Sequence, residues 1–478
     1  MSMINYVRSY LGEFLVLGAL ALLVLSVGYV LAKKFLWKGK KVCSFSSVIF
    51  LAIFLAYLFV VFCLTLLSRS GQLYTERQII PLFYSYKSAW YSSSGEWKNI
   101  IANILMFVPF GCLLPMSIRW FRSFIKTYLA GLLLTVGIEF LQYIRNCGVC
   151  ERDDILNNFL GAMIGYGIFA AGSALYQWIK GKVHGLEERV VDGKKRTWLS
   201  VLFLQLPLIV VVFVAGILYT VYQNKELGIL GCAWESGYSM EDGQVQSQVN
   251  FETEKETLPV YQTKIYSEEE TKDMAETIFS NVGSSMDEVD VEKFDESICY
   301  SDEHNSVMIT YAGGSFFYSG MGMIEDETEN SDMKEGELWN KLQEFGIYIP
   351  KDADFENVGD GQYRFTADMC QEGNLIYDGE LTLNCYGKKG EISWISNDIV
   401  ACQIHKQYST RSQQEAYERI VEGKFTYPIW LWKEKETIEV DKPYIDYQMD
   451  SKGFYQPVYV FPVDAKSITF ISIPAIPQ

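Results

Sequence analysis

Histidine is scarce in this chain. Its 478 residues include three histidines, His184, His304 and His405, which lie far apart in the sequence. A histidine-rich zinc site needs several imidazoles, and a Ser-His-Asp triad needs one beside a nucleophile. Neither is favoured here, although distant residues can meet in a fold. The acidic second half also lacks a calcium-loop motif, so the sequence predicts no metal site and no cofactor.

Cysteine is too sparse for a disulfide scaffold, with ten residues in the chain. The five cysteines of the second half form an odd set, which leaves at least one without a partner in that half: Cys232, Cys299, Cys370, Cys385 and Cys402. Cys147 and Cys150 form a C-x-x-C pair without the thioredoxin-like context of a redox motif. A local disulfide or two plain thiols is the favoured interpretation.

In the second half of the chain, acidic residues far outnumber basic ones. Residues 1–222 carry a net +11, from 21 Lys and Arg against 10 Asp and Glu, and the remainder carries −28, from 20 against 48. Such an acidic half repels phosphates, so nucleic acid is not an expected partner. A basic hydrophobic half joined to an acidic half indicates a membrane region carrying a solvated domain.

Six apolar runs are long enough to cross a bilayer at 1.5 Å per helical residue. They cover about 13–32, 46–67, 99–118, 126–144, 155–179 and 197–222. Five lysines follow the first run, whereas a secretory signal places its positive charge before the apolar stretch. The first run is therefore predicted to be an uncleaved anchor.

Three basic loops predict the orientation. Loops 33–41, 119–126 and 180–196 fall on one side if the six spans alternate. The positive-inside rule makes that side cytoplasmic. We therefore expect a multi-pass cell-membrane protein with its N-terminus and its C-terminal domain outside the cytoplasm.

Polar side chains within three of the spans are the strongest functional signal. A carboxylate at the bilayer centre costs roughly 2.5–3.5 kcal/mol on insertion scales, so it needs partners. The expected orientation places the polar residues at similar depth near the outer leaflet: Asn99, Asn103, Glu139, Gln142, Asp153, Asp154 and Asn158. They predict a ligand-binding cluster for a lipid head group or a wall precursor; the competing interpretation is a helix-to-helix clamp.

Small residues in the same spans predict close helix packing. Gly161 and Gly165 form a GxxxG pair, and Pro109 and Gly111 interrupt the span that begins near residue 99. A catalytic interpretation treats Glu139 and Asp154 as an acid/base pair. Because no activated nucleophile is visible, the sequence assigns no catalytic residue and favours recognition over turnover.

The second half has the pattern of an α+β domain. Ser267-x-x-Glu270 and Ser412-x-x-Glu415 have capping-box spacing, and a third helix is expected at 336–345. Apolar-polar alternation predicts strands around them, and Gly313-Gly314 predicts a hairpin turn. The predicted organisation is a six-span membrane domain at 1–222, a polar tether at 223–254 and an extracytoplasmic α+β domain at 255–478. That domain contains either two related subdomains, 255–350 and 351–478, or two generic helices.

Residues 69–170 resemble the VanZ-like family of membrane proteins. The matching motifs are Asn99 and Asn103 before FVPFGCLLP, then IEFLQ, then CERDDILNNFLGAMIGY. The family places an Arg-Gly just ahead of the acidic run; here RNCGVC intervenes, and Arg145 is the candidate for that arginine. From about 255 onward, SQQEAYERIVEGKF, YQPVYVF and SIPAI are similar to PepSY or cystatin-like envelope modules.

The resemblance implies a role in the cell envelope. It implies reduced action of glycopeptide-type antibiotics through recognition of a wall precursor or lipid head group at the outer-leaflet site. The first alternative is a membrane-anchored sensor or adaptor that binds an envelope protein through 255–478. The second is a membrane hydrolase that uses Glu139 and Asp154.

Overall fold

The chain divides into a helical unit and a sheet unit. The computed structural model describes residues 45–67, 79–91, 95–145, 150–184, 198–235, 244–286, 289–320, 333–386, 390–426, 437–465 and 468–477. The helical unit comprises residues up to 89 together with 95–224, and the sheet unit comprises 90–94 and 225–478. The predicted first span at 13–32 and the lysine loop at 33–41 lie outside the described residues.

Seven α-helices form the described part of the helical unit. They are α1 (Phe45–Phe62), α2 (Tyr84–Tyr91), α3 (Gly95–Ser117), α4 (Phe124–Arg145), α5 (Arg152–His184), α6 (Trp198–Phe203) and α7 (Leu206–Asn224). A π-helical turn, Cys63–Leu67, continues α1, and a 3-10 turn, Arg119–Arg122, joins α3 to α4.

Five of these helices are long and apolar enough to cross a membrane. The candidate spans are Ile49–Leu66, Glu96–Ser117, Phe124–Arg145, Arg152–Ile179 and Leu206–Asn224. They overlap the second to sixth runs expected from the sequence. Helix α7 has no buried residue, which suits a helix surrounded by lipid, whereas α3 and α5 bury a shared face.

A two-stranded parallel sheet joins the loop before α2 to the residues just before α5. Strand β1 (Ile79–Ile80) pairs with strand β2 (Cys150–Glu151), with Ile79 opposite Cys150. The pairing brings two segments 71 residues apart to the same end of the helical unit.

The sheet unit contains fifteen described strands in one hydrogen-bonded network. They are β3 (Val245–Gln246), β4 (Thr257–Thr263), β5 (Asp290–Lys293), β6 (Ser297–Ser301), β7 (Asn305–Thr310), β8 (Phe316–Gly320), β9 (Asp354–Gly359), β10 (Gln362–Glu372), β11 (Leu375–Tyr386), β12 (Glu391–Asn397), β13 (Val400–Ser409), β14 (Ile438–Val440), β15 (Tyr444–Met449), β16 (Phe454–Asp464) and β17 (Phe470–Pro474). The main path runs β3-β14-β16-β4-β13-β11-β12-β8-β7-β6-β5, with β9 on β10, β10 on β11, and both β15 and β17 on β16. All these pairs are antiparallel except β3–β14.

Within the described residues, three α-helices cover the sheet: α8 (Glu268–Asn281), α9 (Glu335–Glu344) and α10 (Gln413–Val421). Helices α8 and α10 each begin with the capping box expected from Ser267 and Ser412. The expected hairpin is present between β7 and β8, where Gly313 and Gly314 have φ of +77° and +72°. Glycine is favoured there because a Cβ strains that backbone conformation.

Two separate apolar cores lie beneath these helices. The first joins α8 and α9 to the central strands and includes Phe279, Leu338 and Phe365. Its residues fall on both sides of position 350, so the suggested subdomain boundary at 350/351 does not coincide with the division between cores. The second core gathers α10, β14, β16 and β17.

The stretch proposed as a polar tether, 223–254, is in part built into the sheet unit. Leu230 is 1% exposed, and the Gly228 amide donates to Asp450 Oδ2 at 2.6 Å. Further on, β3 pairs with β14, and Phe251 stacks on Tyr417 with ring centroids 4.4 Å apart. The described parts of this stretch therefore do not form a free tether, because their apolar side chains are buried against the strands.

The eight cysteines within the described ranges are all free. Cys147, one half of the C-x-x-C pair, lies outside those ranges. Burial raises the pKa of Cys232 and of Cys402 to about 12, which keeps both as unreactive thiols at neutral pH.

Single-cysteine labelling tests the orientation predicted from the basic loops. Cysteines would be placed one at a time at Lys38, Arg122, Val190, Trp90 and Asn330 in a cysteine-free background. An impermeant thiol reagent on whole cells should label only positions 90 and 330, because the other three lie in loops predicted to be cytoplasmic. Labelling at 122 in intact cells contradicts the orientation, and labelling there after permeabilisation is the positive control.

Candidate functional site

Helix α5 carries two polar rows at its first turns. Residues four apart share a helix face, so Asp153 and Asn157 form one row and Asp154 and Asn158 form the other. The two rows contact different neighbours.

The row of Asp154 and Asn158 faces α3 and α4. Asn103 Nδ2 on α3 donates to Asp154 Oδ1 at 2.6 Å. One turn deeper, Asn158 Nδ2 donates to Thr135 Oγ1 on α4 at 3.0 Å. Asn158 is 2% exposed, and its buried Oδ1 has no hydrogen-bond partner in the part of the chain that the structure describes. A buried amide oxygen left unpaired costs about 1–3 kcal/mol.

The row of Asp153 and Asn157 faces the start of α2. Asp153 accepts from the backbone N–H groups of Phe83 at 2.6 Å and Ser85 at 2.8 Å. These bonds satisfy free donors at the helix start and hold Phe83 at φ +68°, an uncommon value for a bulky residue. Asp153 is fully buried, so the structure gives it a capping role.

Tyr86 on α2 donates its hydroxyl to Asn157 Oδ1. Burial, with smaller contributions from Asp153 and Asp154, raises the pKa of Tyr86 to about 12, so the phenol remains a donor. Asn157 is fully buried, and its Nδ2 has no hydrogen-bond partner within the described ranges. Asn157 and Asn158 thus each have one amide atom without a hydrogen-bond partner among the described residues.

Glu139 lies on the α4 side of the same cluster. It is 3% exposed, and its Oε2 accepts the backbone N–H of Glu151 at 3.1 Å. That amide directly precedes the first turn of α5, where the helix dipole stabilises a negative charge by about 0.3–1 kcal/mol. Helices α4 and α5 are antiparallel, and Thr135 on α4 accepts a hydrogen bond from Asn158 on α5. One turn further along α4, Glu139 therefore lies at the level of Asp154, which is one turn before Asn158. The pKa of Cys150 is raised by its burial and, next, by Glu139.

Three other predicted site residues lie elsewhere. Gln142 is buried, and its Nε2 donates to the carbonyl oxygen of Thr65 at 2.9 Å, which joins α4 to the π-helical end of α1. Asn99 and Arg145 are exposed. The structure therefore brings Asn103, Glu139, Asp154 and Asn158 together as the polar cluster. These three residues and Asp153, which caps α2, lie outside it.

Glycines set the distance between α3 and α5. A Cβ on Gly161 would lie 2.0 Å from the carbonyl oxygen of Ile104, and one on Gly165 would lie 2.0 Å from that of Val108. From the other helix, a Cβ on Gly111 would lie 2.0 Å from the carbonyl oxygen of Ala162. Pro109 lies within α3 beside this seam, where it removes one backbone donor.

Sequence reasoning missed Tyr86, Thr135 and Asn157. Thr135 lies four residues before Glu139, and Asn157 four after Asp153, so helical spacing carried a signal for both. Tyr86 lies in a segment 71 residues from its partner, and no local pattern connects them.

Comparison with known proteins finds a family match in the first half of the chain. Residues 54–175 match the family model VanZ/LLP1. We call this matched segment the VanZ/LLP1 domain. The match contains α3, α4 and most of α5, and confirms the VanZ-like resemblance found in the motifs between 69 and 170.

A curated relative agrees with this assignment. Protein VanZ of Enterococcus faecium is 24% identical over 105 residues, which cover 22% of this chain and 55% of the relative. The chain thus spans about half the length of that relative. With five candidate spans, the VanZ/LLP1 domain fits a multi-pass membrane protein.

Among solved structures, the C-terminal domain of Bacillus megaterium YpeB matches 45% of this chain and 94% of its own length. The sequence identity is 11% and the TM-score is 0.19. A TM-score this low does not assign a fold to the sheet unit.

Proposed function

We propose that the protein acts in the cell envelope and lowers susceptibility to glycopeptide-type antibiotics. It does so by recognising a wall precursor or a lipid head group at the polar cluster of the VanZ/LLP1 domain. The observation that carries the proposal is positional: Asn103, Glu139, Asp154 and Asn158 all lie within the matched residues 54–175. An ionisable side chain within a membrane span is costly to bury, so its presence there indicates a functional site.

The unpaired amide oxygen of Asn158 favours recognition over a helix clamp. A clamp is most stable when every buried polar atom has a partner, and membrane hydrogen bonds average only about 0.6 kcal/mol. Here Asn158 Oδ1 has no hydrogen-bond partner among the described residues. A ligand that donates a hydrogen bond to this oxygen recovers the cost of burying it.

The sensor or adaptor function is supported by one feature of the sheet unit. Met308 and Phe317 are directly opposite on β7 and β8, and they are 43% and 44% exposed. In the adaptor alternative, this exposed apolar pair is the proposed contact surface. Deleting 225–478 separates the alternatives: loss of function with the VanZ/LLP1 domain still present in the membrane favours the adaptor. Release of a product from a lipid-linked precursor would favour the hydrolase.

The proposal is tested by expressing the protein in a susceptible host. Expression of wild type should raise the minimum inhibitory concentration of a teicoplanin-type glycopeptide. Asn103→Leu should remove most of that gain, because it takes the 2.6 Å donor away from Asp154. Asn99→Leu is the matched control, because Asn99 lies one turn before Asn103 and its side chain is exposed. This variant should raise the minimum inhibitory concentration as wild type does.

Membrane abundance must be measured for each variant. Unchanged susceptibility on wild-type expression contradicts the proposed function. Equal losses in Asn99→Leu and Asn103→Leu at equal abundance contradict the site.

A further inference from the structure

The turn before α2 exposes a run of apolar side chains. Residues 79–83 read IIPLF, and we call them the apolar tip. Three of the large side chains in the tip are about half exposed: Ile79 at 55%, Leu82 at 46% and Phe83 at 54%. The tip lies outside the candidate spans found among the described residues. An uncharged apolar run that is exposed in a turn therefore needs a functional explanation.

Two sets of hydrogen bonds hold the tip in this exposed position. Strand β1 pairs Ile79 and Ile80 with strand β2. On the other side of the turn, Asp153 accepts the backbone N–H of Phe83 at 2.6 Å and that of Ser85 at 2.8 Å. These contacts keep Phe83 at φ +68°, a strained value for a bulky residue. Backbone strain that is maintained by surrounding contacts is frequent at functional positions.

The same contacts place the tip at the boundary of the bilayer. Asp153 is the second residue of the candidate span Arg152–Ile179, and the amide of Phe83 bonds to it directly. Helix α2 ends four residues before α3 begins at Gly95, so at most about 14 Å of chain separates the two helices. An apolar turn at this depth meets lipid head groups and the first acyl carbons.

The first turn of α2 has the residue pattern of a segment that lies in the membrane interface. The ring of Tyr86 lies 6.2 Å from that of Phe83, and its hydroxyl donates to Asn157 in the protein. Lys87 is exposed one turn after Phe83. A lysine stem lies along apolar surface while its ammonium reaches the lipid phosphates. Tyrosine and lysine beside apolar side chains are typical of interfacial segments.

We propose that the apolar tip inserts into the lipid interface and docks the helical unit onto the bilayer at the end where α5 begins. Its partner is lipid, because α3 begins at the same end and exposes Ile101 and Leu105 within a candidate span. Insertion of the tip also sets the depth of the polar cluster, since Asp153 is adjacent to Asp154. This inference goes beyond the proposed function and does not depend on the ligand of the cluster.

Spin labels measure the depth of the tip. Ile79→Cys and Leu82→Cys would each be made in the cysteine-free full chain, labelled with a nitroxide and reconstituted in nanodiscs of phosphatidylglycerol and phosphatidylcholine. Collisions of the label with oxygen, which concentrates in lipid, are compared with collisions with a water-soluble nickel complex. Both positions should collide more with oxygen than with nickel, as expected about 5–10 Å into the boundary between head groups and acyl chains.

Two further positions calibrate the measurement. Leu133→Cys on α4 is the lipid reference, because Leu133 is exposed within a candidate span. Glu269→Cys, exposed on α8, is the water reference. An oxygen-to-nickel ratio at positions 79 and 82 equal to that at 269 overturns the proposal, because the tip then lies in water. Protection from both reagents also overturns it, because protein, including a second copy of the chain, then covers the tip.

A charge in the tip provides a second test, with Leu82→Met as its matched control. With the label at position 79, Leu82→Asp should lower the oxygen-to-nickel ratio, because a carboxylate is expelled from lipid. Leu82→Met keeps an apolar side chain and should leave the ratio unchanged. Size-exclusion chromatography verifies that each variant is folded. An unchanged ratio in a folded Leu82→Asp variant refutes docking by apolar insertion. Because the readout is lipid contact, the result is independent of antibiotic susceptibility.

Discussion

Replacing Glu139 with glutamine should abolish the effect of the protein on glycopeptide susceptibility while leaving its level in the membrane unchanged. Glutamine keeps the shape of the side chain and an Oε1 acceptor for the Glu151 amide, which lies 3.1 Å from the carboxylate in wild type. The substitution therefore removes the charge and little else. A neutral amide is also cheaper to bury than a carboxylate, so the fold should not suffer.

The measurement compares the minimum inhibitory concentration in cells that express wild type, Glu139→Gln or Glu139→Ala, with each variant quantified in membranes. Glu139→Ala removes both the charge and the acceptor, so it should lose function and also some abundance. Full resistance in Glu139→Gln at normal abundance would show that the cluster is a clamp, in which charge has no role.

Adding one methyl group at Gly161 should destabilise the helical unit strongly. A Cβ there would lie 2.0 Å from a backbone carbonyl oxygen. A backbone carbonyl cannot rotate away as a side chain can, so α3 and α5 must separate. Overpacking of this kind costs about 1–3 kcal/mol and occasionally more. Gly165→Ala and Gly111→Ala should behave in the same way.

Gly172 provides a control on the same helix. Among the described residues, and leaving out the helix's own neighbouring backbone, no heavy atom lies within 4 Å of a Cβ built at Gly172 or at Gly137 on α4. Alanine is a better helix former than glycine by about 0.8–1 kcal/mol, so Gly172→Ala should unfold at the wild-type temperature or above it. Unfolding of detergent-purified protein, followed by size-exclusion chromatography after heating, measures the difference. Equal stability of Gly161→Ala and Gly172→Ala would refute the close packing.

Local patterns predicted much of this structure. Five apolar runs match helices, two Ser-x-x-Glu spacings form capping boxes, and the i, i+4 relation of Asp154 and Asn158 places both on the face toward α3 and α4. Each of these features depends on residues within one or two turns of each other. Residue propensity and hydrophobic periodicity are properties of such short stretches, so they can predict these features.

Long-range contacts account for what the sequence could not predict. Asn99 has the helical spacing of a site residue, yet it lies one turn too near the helix end and is exposed. Asp153 sits beside Asp154, but a rotation of 100° per residue turns it toward α2, where it caps a helix. In the sheet unit, no local signal showed that Leu230 would be buried in a stretch that reads as polar.

The glycine seam also determines which parts of the helical unit can move. Helices α3 and α5 touch through backbone atoms, and such a contact has no rotamers to change and no soft side chain to compress. The two helices should therefore behave as one rigid frame. Side-chain hydrogen bonds hold α4 to α5 and to the residue before it, and none of the described residues fills the space beside Gly137 on α4. When a ligand enters or leaves the cluster, the adjustment should fall on α4, with the α3–α5 frame as its fixed support.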